Sequence, residues 1–120
     1  MDGILILAHG SKGQETEEIL NSLVEDIKKK TGEKHVYPAF LQFSEKNLEK
    51  GIRQLVEKGV RNIKIMPMFL FDGVHVTYHI PNELKAINKK YPSVNIKISK
   101  HIGYDERLAD IIIDRIGEIR

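Results

Sequence analysis

The chain has no cysteine, no tryptophan and only four prolines. Without cysteine there is no disulfide framework, thiolate zinc site, iron–sulfur cluster or cysteine nucleophile. Any metal the protein handles must therefore meet imidazole, carboxylate or water. Long apolar runs are missing too: the opening Met1-Asp2-Gly3-Ile4-Leu5-Ile6-Leu7 is too short to span a bilayer and lacks the basic flank of a signal peptide. The expectation is a cytoplasmic protein with no membrane partner. Nor does one sign of charge dominate. Nineteen Lys and Arg stand against seventeen Asp and Glu, a formal charge of +2, with the two signs interspersed. That balance gives no reason to expect nucleic acid. No repeat, low-complexity segment or long linker breaks the chain, and its 120 residues suit one domain, 1–120.

What is present alternates in period. Ile4–Ala8 is a short apolar run closed by His9-Gly10-Ser11, which reads as a buried strand ending in a glycine loop. From Gln14 to Lys30, apolar Ile19, Leu20, Leu23, Val24 and Ile27 recur at helical spacing, with acids early, lysines late and Gly32 just beyond. His35–Phe43 reads as a second strand, and Pro38 places it at a sheet edge. Leu48, Ile52, Leu55 and Val56 form the stripe of a helix that stops at Gly59. Asn62–Phe71 is rich enough in apolar residues for a central strand covered on both faces, with Phe69, Leu70, Phe71, Met66 and Met68 read as strand core. A helix follows around Asn82–Lys90, with Pro81 in its first turn, then a strand at Val94–Ser99. The last helix, Glu106–Ile119, is expected to turn Leu108, Ile111, Ile112, Ile116 and Ile119 inward, wholly or in part. Strands alternating with helices imply right-handed crossovers: an α/β fold with a four-stranded, mostly parallel sheet of order 2-1-3-4 and helices on both faces.

In such a sheet the loops after the first and third strands leave neighbouring strands where the winding reverses, and ligands bind there. His9 and His75 are expected on those two loops, each beside a glycine, Gly10 or Gly73. Imidazole binds cobalt, nickel, iron and zinc and also transfers protons near neutral pH. Either histidine alone would more readily be a strand cap. Their joint placement favours a functional pair. Ser11 has neither a nucleophile elbow nor a base and acid in order, so its expected role is to cap the first helix or bind a loop amide. His9-Gly10 lacks the preceding arginine of a phosphohistidine centre, the position being Ala8. Gly10-Ser11-Lys12-Gly13 has neither Walker A nor Rossmann spacing, so no nucleotide is expected, although its backbone suits a substrate carboxylate. His79 follows His75 at helical spacing, but Pro81 opposes a helix there. His35 and His101 are read as structural or surface residues.

Strand-His9-Gly10-Ser11, Ala39-Phe40-Leu41 before a helix, Pro67-Met68-Phe69-Leu70, Gly73-Val74-His75-Val76 before Ile80-Pro81, and Ile102-Gly103, in this order, resemble the class II chelatases. The closest likeness is to the short sirohydrochlorin cobaltochelatases, the small CbiX type, and their archaeal nickel-inserting relatives, and it covers nearly the whole chain. The resemblance implies a chelatase-like three-layer fold and ATP-independent insertion of a divalent metal, cobalt or alternatively nickel or iron, into sirohydrochlorin during cobalamin or related tetrapyrrole biosynthesis. It implies that His9 and His75 are both catalytic and metal-binding. Ser11, Lys12, Gly73 and Val74 are expected to line the macrocycle, with Lys12 as a cation for its carboxylates. Longer members contain two such domains, so the resemblance also implies a homodimer. Related sequences often have an acid where this chain has His79, and a glutamate where it has Gln42. Two other functions remain open: a metal carrier or sensor that uses the same histidines without catalysis, and a small hydrolase or phosphatase.

Overall fold

The computed structural model describes residues 2–71 and 73–120; Met1 and Asp72, and the side chains of Val74, His75, Val76 and Thr77, lie outside that description. The order is β1 (Asp2–Ala8), α1 (Glu15–Thr31), β2 (Val36–Phe40), α2 (Leu48–Glu57), β3 (Asn62–Pro67), α3 (Val74–Lys90), β4 (Asn95–Ile98) and α4 (Glu106–Gly117). The four strands make one sheet of order β2-β1-β3-β4, with all neighbouring pairs parallel. Among the described residues no helix is long and apolar enough to cross a membrane.

Strand alternation divides the core. Leu5 and Leu7 of β1 face the same way as Ile63 and Ile65 of β3, under Leu48, Ile52 and Leu55 of α2 and Ile80, Leu84 and Ile87 of α3. Ile6 and Ala8 face the other way, with Val36 and Phe40 of β2, and are covered by Leu20 and Val24 of α1. β1 is therefore enclosed on both faces and paired on both edges. Pro38 lies on β2, which is an edge strand as the proline required.

Three expectations are corrected. α3 starts at Val74, not near Asn82, so Pro81 lies inside the helix and His75 stands in its first turn rather than on a loop. An interior proline costs about 3 kcal/mol. Burial of Ile80, Leu84 and Ile87 at helical spacing, each worth roughly 1.5–3 kcal/mol, outweighs that cost. β3 ends at Pro67, so of the run read as strand core only Phe69 beyond that point is buried; Leu70 and Phe71 are exposed. α4 buries none of its residues, and Ile111, Ile112, Ile116 and Ile119 face solvent. The other boundaries shift by a few residues, as helix and strand ends do.

Pro81 offers a direct test of the longer helix. If α3 runs through it, Pro81→Ala restores a backbone donor and raises stability by roughly 1–3 kcal/mol in urea unfolding. A helix beginning at Pro81 would instead give no gain, because proline is favourable in a first turn.

Candidate active site

Because the strands are parallel, all four release the chain at the same edge of the sheet. His9 leaves β1 there and is exposed. The neighbouring loops are tied to it through the backbone. Met68 N donates to Leu7 O (2.7 Å), Leu41 N to Ala8 O (3.0 Å) and Gln42 N to His9 O (3.0 Å). Gly10 turns the chain at φ +89°, and a Cβ there would lie 2.1 Å from the Gln42 carbonyl oxygen, so only glycine fits. The His9 ring rests on the buried Phe69 ring, with centroids 4.4 Å apart and planes tilted by 49°. The Phe69 carbonyl in turn accepts from Ile102 N (3.0 Å), which brings the loop after β4 to the same place.

The Gly10–Gly13 loop forms a second part of the edge. Ser11 does not cap α1: the N-cap is Gln14, without a side-chain bond, and Ser11 Oγ donates to Gly13 O (3.3 Å) and lies 2.5 Å from Thr16 Oγ1. Lys12 Nζ stands 5.7 Å from the centroid of the Phe43 ring, within cation–π range. Ser11, Lys12, Gly13 and Phe43, with Gly10, Gln14 and Ser44, line a shallow cavity of about 130 Å³. Phe43 has φ +59°, a conformation that costs a side-chain-bearing residue roughly 1–2 kcal/mol, and its ring is exposed. A larger cavity of about 300 Å³ lies along the free edge of β2, among Tyr37, Lys46, Lys50 and Arg53; no histidine lines it.

Gly73 is the N-cap of α3, so the backbone of Val74 and His75 opens the helix that follows β3, next to the exit of β1. The side chains through which Val74 and His75 were expected to act lie outside the described residues. Positions 75, 79 and 83 are successive turns of one helix. His79 is exposed and interacts electrostatically with Glu83. Burial holds the Glu83 carboxyl above its ordinary pKa, Glu49 pushes it further up, and His79 opposes both. Among the described residues no three His, Asp or Glu converge as a metal cage. His35 lies at the opposite, amino end of β2, with a buried Nδ1 that has no hydrogen-bond partner among the described residues. His101 is half-buried on the loop after β4.

One feature of this edge, the exposure of Phe43 and Tyr104, was missed in the sequence. Phe43, Leu70, Phe71 and Tyr104 are exposed on the segments after β2, β3 and β4, with Phe71 and Tyr104 at 84% and 92%. The available signal was their position just beyond a strand end, where a core residue is not required.

This fold, with the histidine-bearing edge, defines a chelatase-like α/β domain. The CbiX family model matches residues 3–119, and the chain belongs to the CbiX family. It superposes on the crystal structure of the sirohydrochlorin chelatase SirB from Bacillus subtilis subspecies spizizenii, in complex with cobalt, with a TM-score of 0.89. Identity is 27%, over 98% of this chain and 50% of that one. It is 33% identical to a sirohydrochlorin cobaltochelatase of Methanosarcina acetivorans, over 97% of this chain and 95% of the relative. It is 30% identical to a sirohydrochlorin ferrochelatase of Priestia megaterium, over 98% of this chain and 44% of the relative. The chain thus spans nearly all of the first of these relatives and about half of the second.

The state of Glu83 has a pH signature. A carboxyl with a raised pKa binds its proton more tightly in the folded than in the unfolded chain, so its contribution to stability is present at low pH and is lost as pH rises through the folded pKa. Glu83→Gln should therefore be more stable than the parent at pH 7, and the difference should vanish below about pH 4, near the ordinary carboxylate pKa. Thermal unfolding at both pH values checks this.

Proposed function

We propose that the protein inserts a divalent metal, cobalt in the first instance, into sirohydrochlorin without ATP, at the carboxyl edge of its sheet. The observation that carries the reading is His9: an exposed imidazole fixed at the end of the central strand, where a doubly wound sheet binds its ligands, in a chain of the CbiX family. The names of the relatives, cobaltochelatase and ferrochelatase, support sirohydrochlorin as the macrocycle and leave cobalt and iron as natural candidates. Nickel enters through nitrogen ligation, which accepts all three metals.

Insertion replaces two pyrrole N–H protons with one divalent ion, so the site must hold the metal briefly and accept protons. A neutral imidazole does either: it donates a lone pair to the metal or takes a proton. His9 is assigned these roles, with His75 as its partner from the first turn of α3. The flat, anionic macrocycle finds exposed aromatic surface on Phe43, Phe71 and Tyr104. Lys12, beside Phe43, supplies positive charge for its carboxylates, and Ser11, Gly73 and Val74 line the same approach. Gln42 has no charge to offer and is given no chemical role. The protein is placed in the cytoplasm, and two copies are expected to associate.

Protein, sirohydrochlorin and cobalt mixed without ATP should show the visible spectrum of the metallated product at a rate well above the protein-free mixture. A carrier would leave that rate unchanged. His9→Ala and His75→Ala should each lower it by roughly 100-fold or more, with circular dichroism preserved, since loss of a positioned acid–base group costs on that order. Full activity in either variant removes its residue from the mechanism. His79→Asp should lower the nickel-to-cobalt rate ratio at matched free metal, because it replaces a nitrogen donor with a harder oxygen next along α3. An equal ratio returns His79 to a surface role.

A further inference from the structure

The run after β3 carries one buried aromatic residue beside exposed neighbours. Phe69 is 6% exposed, whereas Leu70 and Phe71 face solvent. Its backbone is fastened on both sides: Met68 N donates to Leu7 O (2.7 Å), and Phe69 O accepts from Ile102 N (3.0 Å). The ring joins Leu5, Leu7, Ile80 and Leu84 in the core cluster under α2 and α3. Close packing leaves such a ring little room to swing. It therefore presents a fixed surface to whatever lies outside the core.

What lies there is the His9 imidazole, its centroid 4.4 Å from that of Phe69 and its plane tilted by 49°. An exposed histidine is otherwise free to turn about both side-chain torsions. A ligating imidazole is usually oriented by a hydrogen bond from its second nitrogen to a carboxylate or carbonyl. Among the described residues no hydrogen bond reaches the His9 ring, and the Phe69 ring is what it rests on. The contact also has a charge preference. An aromatic face is negative and attracts a cation within about 6 Å of its centroid. An imidazole gains positive charge when its lone pair goes to a divalent metal ion, and His9 would do so against that ring.

We infer that Phe69 is a positioning residue for His9: its ring holds the imidazole in one orientation and favours the charge that the imidazole takes up on binding metal. Leucine would fill the core at this position nearly as well. Only an aromatic ring adds a flat, electron-rich surface. The side chain thus serves two ends, closing the core inward and orienting the imidazole outward. β1 supplies the ligand, and the segment after β3 supplies its orientation. That division is open to them because the two strands are parallel neighbours and release their chains side by side. The inference rests on the reading that His9 binds the metal, and it names the residue that holds His9 ready to do so.

Cobalt alone, titrated into the full chain, is the probe. Phe69→Leu should bind it about fivefold more weakly than the parent, within the range expected for loss of a cation–π contact. In NMR spectra the His9 ring protons, displaced in the parent by the Phe69 ring current, should return towards their ordinary positions in that variant. Replacing Phe69 with pentafluorophenylalanine keeps the shape of the ring and reverses the charge of its face, so it should weaken cobalt binding as well. Leu55→Val trims the same core cluster beside Gly3, at the amino end of β1, without touching His9. It should bind cobalt as the parent does. Parent affinity in Phe69→Leu overturns the inference. So does parent affinity with pentafluorophenylalanine, because the charge of the ring would then play no part. Equal weakening in Leu55→Val also overturns it, since Phe69 would then act through the core alone. Cobalt binding unchanged in His9→Ala overturns the reading beneath it as well.

Discussion

The arrangement depends on the parallel pairing of β1 between β2 and β3. Parallel strands all end at the same edge, so strand order alone gathers three loops and the first turn of a helix there. β1 buries Leu5 and Leu7 on one face and Ile6 and Ala8 on the other, and its register cannot slip by one residue without moving every one of them to the wrong side. His9 inherits that fixity. It is one residue beyond a strand that cannot move, with its carbonyl held by Gln42 N and its ring on Phe69.

Locally exacting choices stand at the same edge and in the helix that leads away from it. Phe43 takes a left-handed backbone, Gly10 makes a turn that no side chain would tolerate, and Pro81 interrupts the donors of α3 one turn beyond Thr77. Phe43 and Pro81 each cost on the order of 1–3 kcal/mol, and the buried stripes of α2, α3 and the strands offset them; Gly10 makes its turn without steric cost. The result is a fixed imidazole on an edge whose loops also expose aromatic side chains. A large flat ligand needs such a surface; a small polar substrate would not.

Much of this was legible in the residues. The apolar run before His9, the helical stripe from Leu20 to Ile27 and the edge position signalled by Pro38 each follow from local chemistry and hold in the structure. Two misreadings share a cause, which is that a local rule met a tertiary term it does not contain. Pro81 argues against a helix before it, yet Ile80 is fully buried and the helix continues through. The stripe of α4 looks like the inner face of a core helix, yet none of its residues is buried. Leu70 and Phe71 look like strand core because composition cannot tell an apolar residue that builds a core from one that serves a ligand. Of the site, the place of His9 could be read because it depends on strand order alone. The contact of Phe69 with His9 and of Lys12 with Phe43 depends on loop paths that no periodicity encodes.

The central claim is that metal is handled at the carboxyl edge of the sheet, by His9. Imidazole resonances followed by NMR during addition of cobalt test it, because the paramagnetic ion broadens the signals of the ring it binds. The account predicts that His9 broadens first, while His35, at the opposite edge, stays sharp. Early broadening of His35 with His9 unchanged would contradict it.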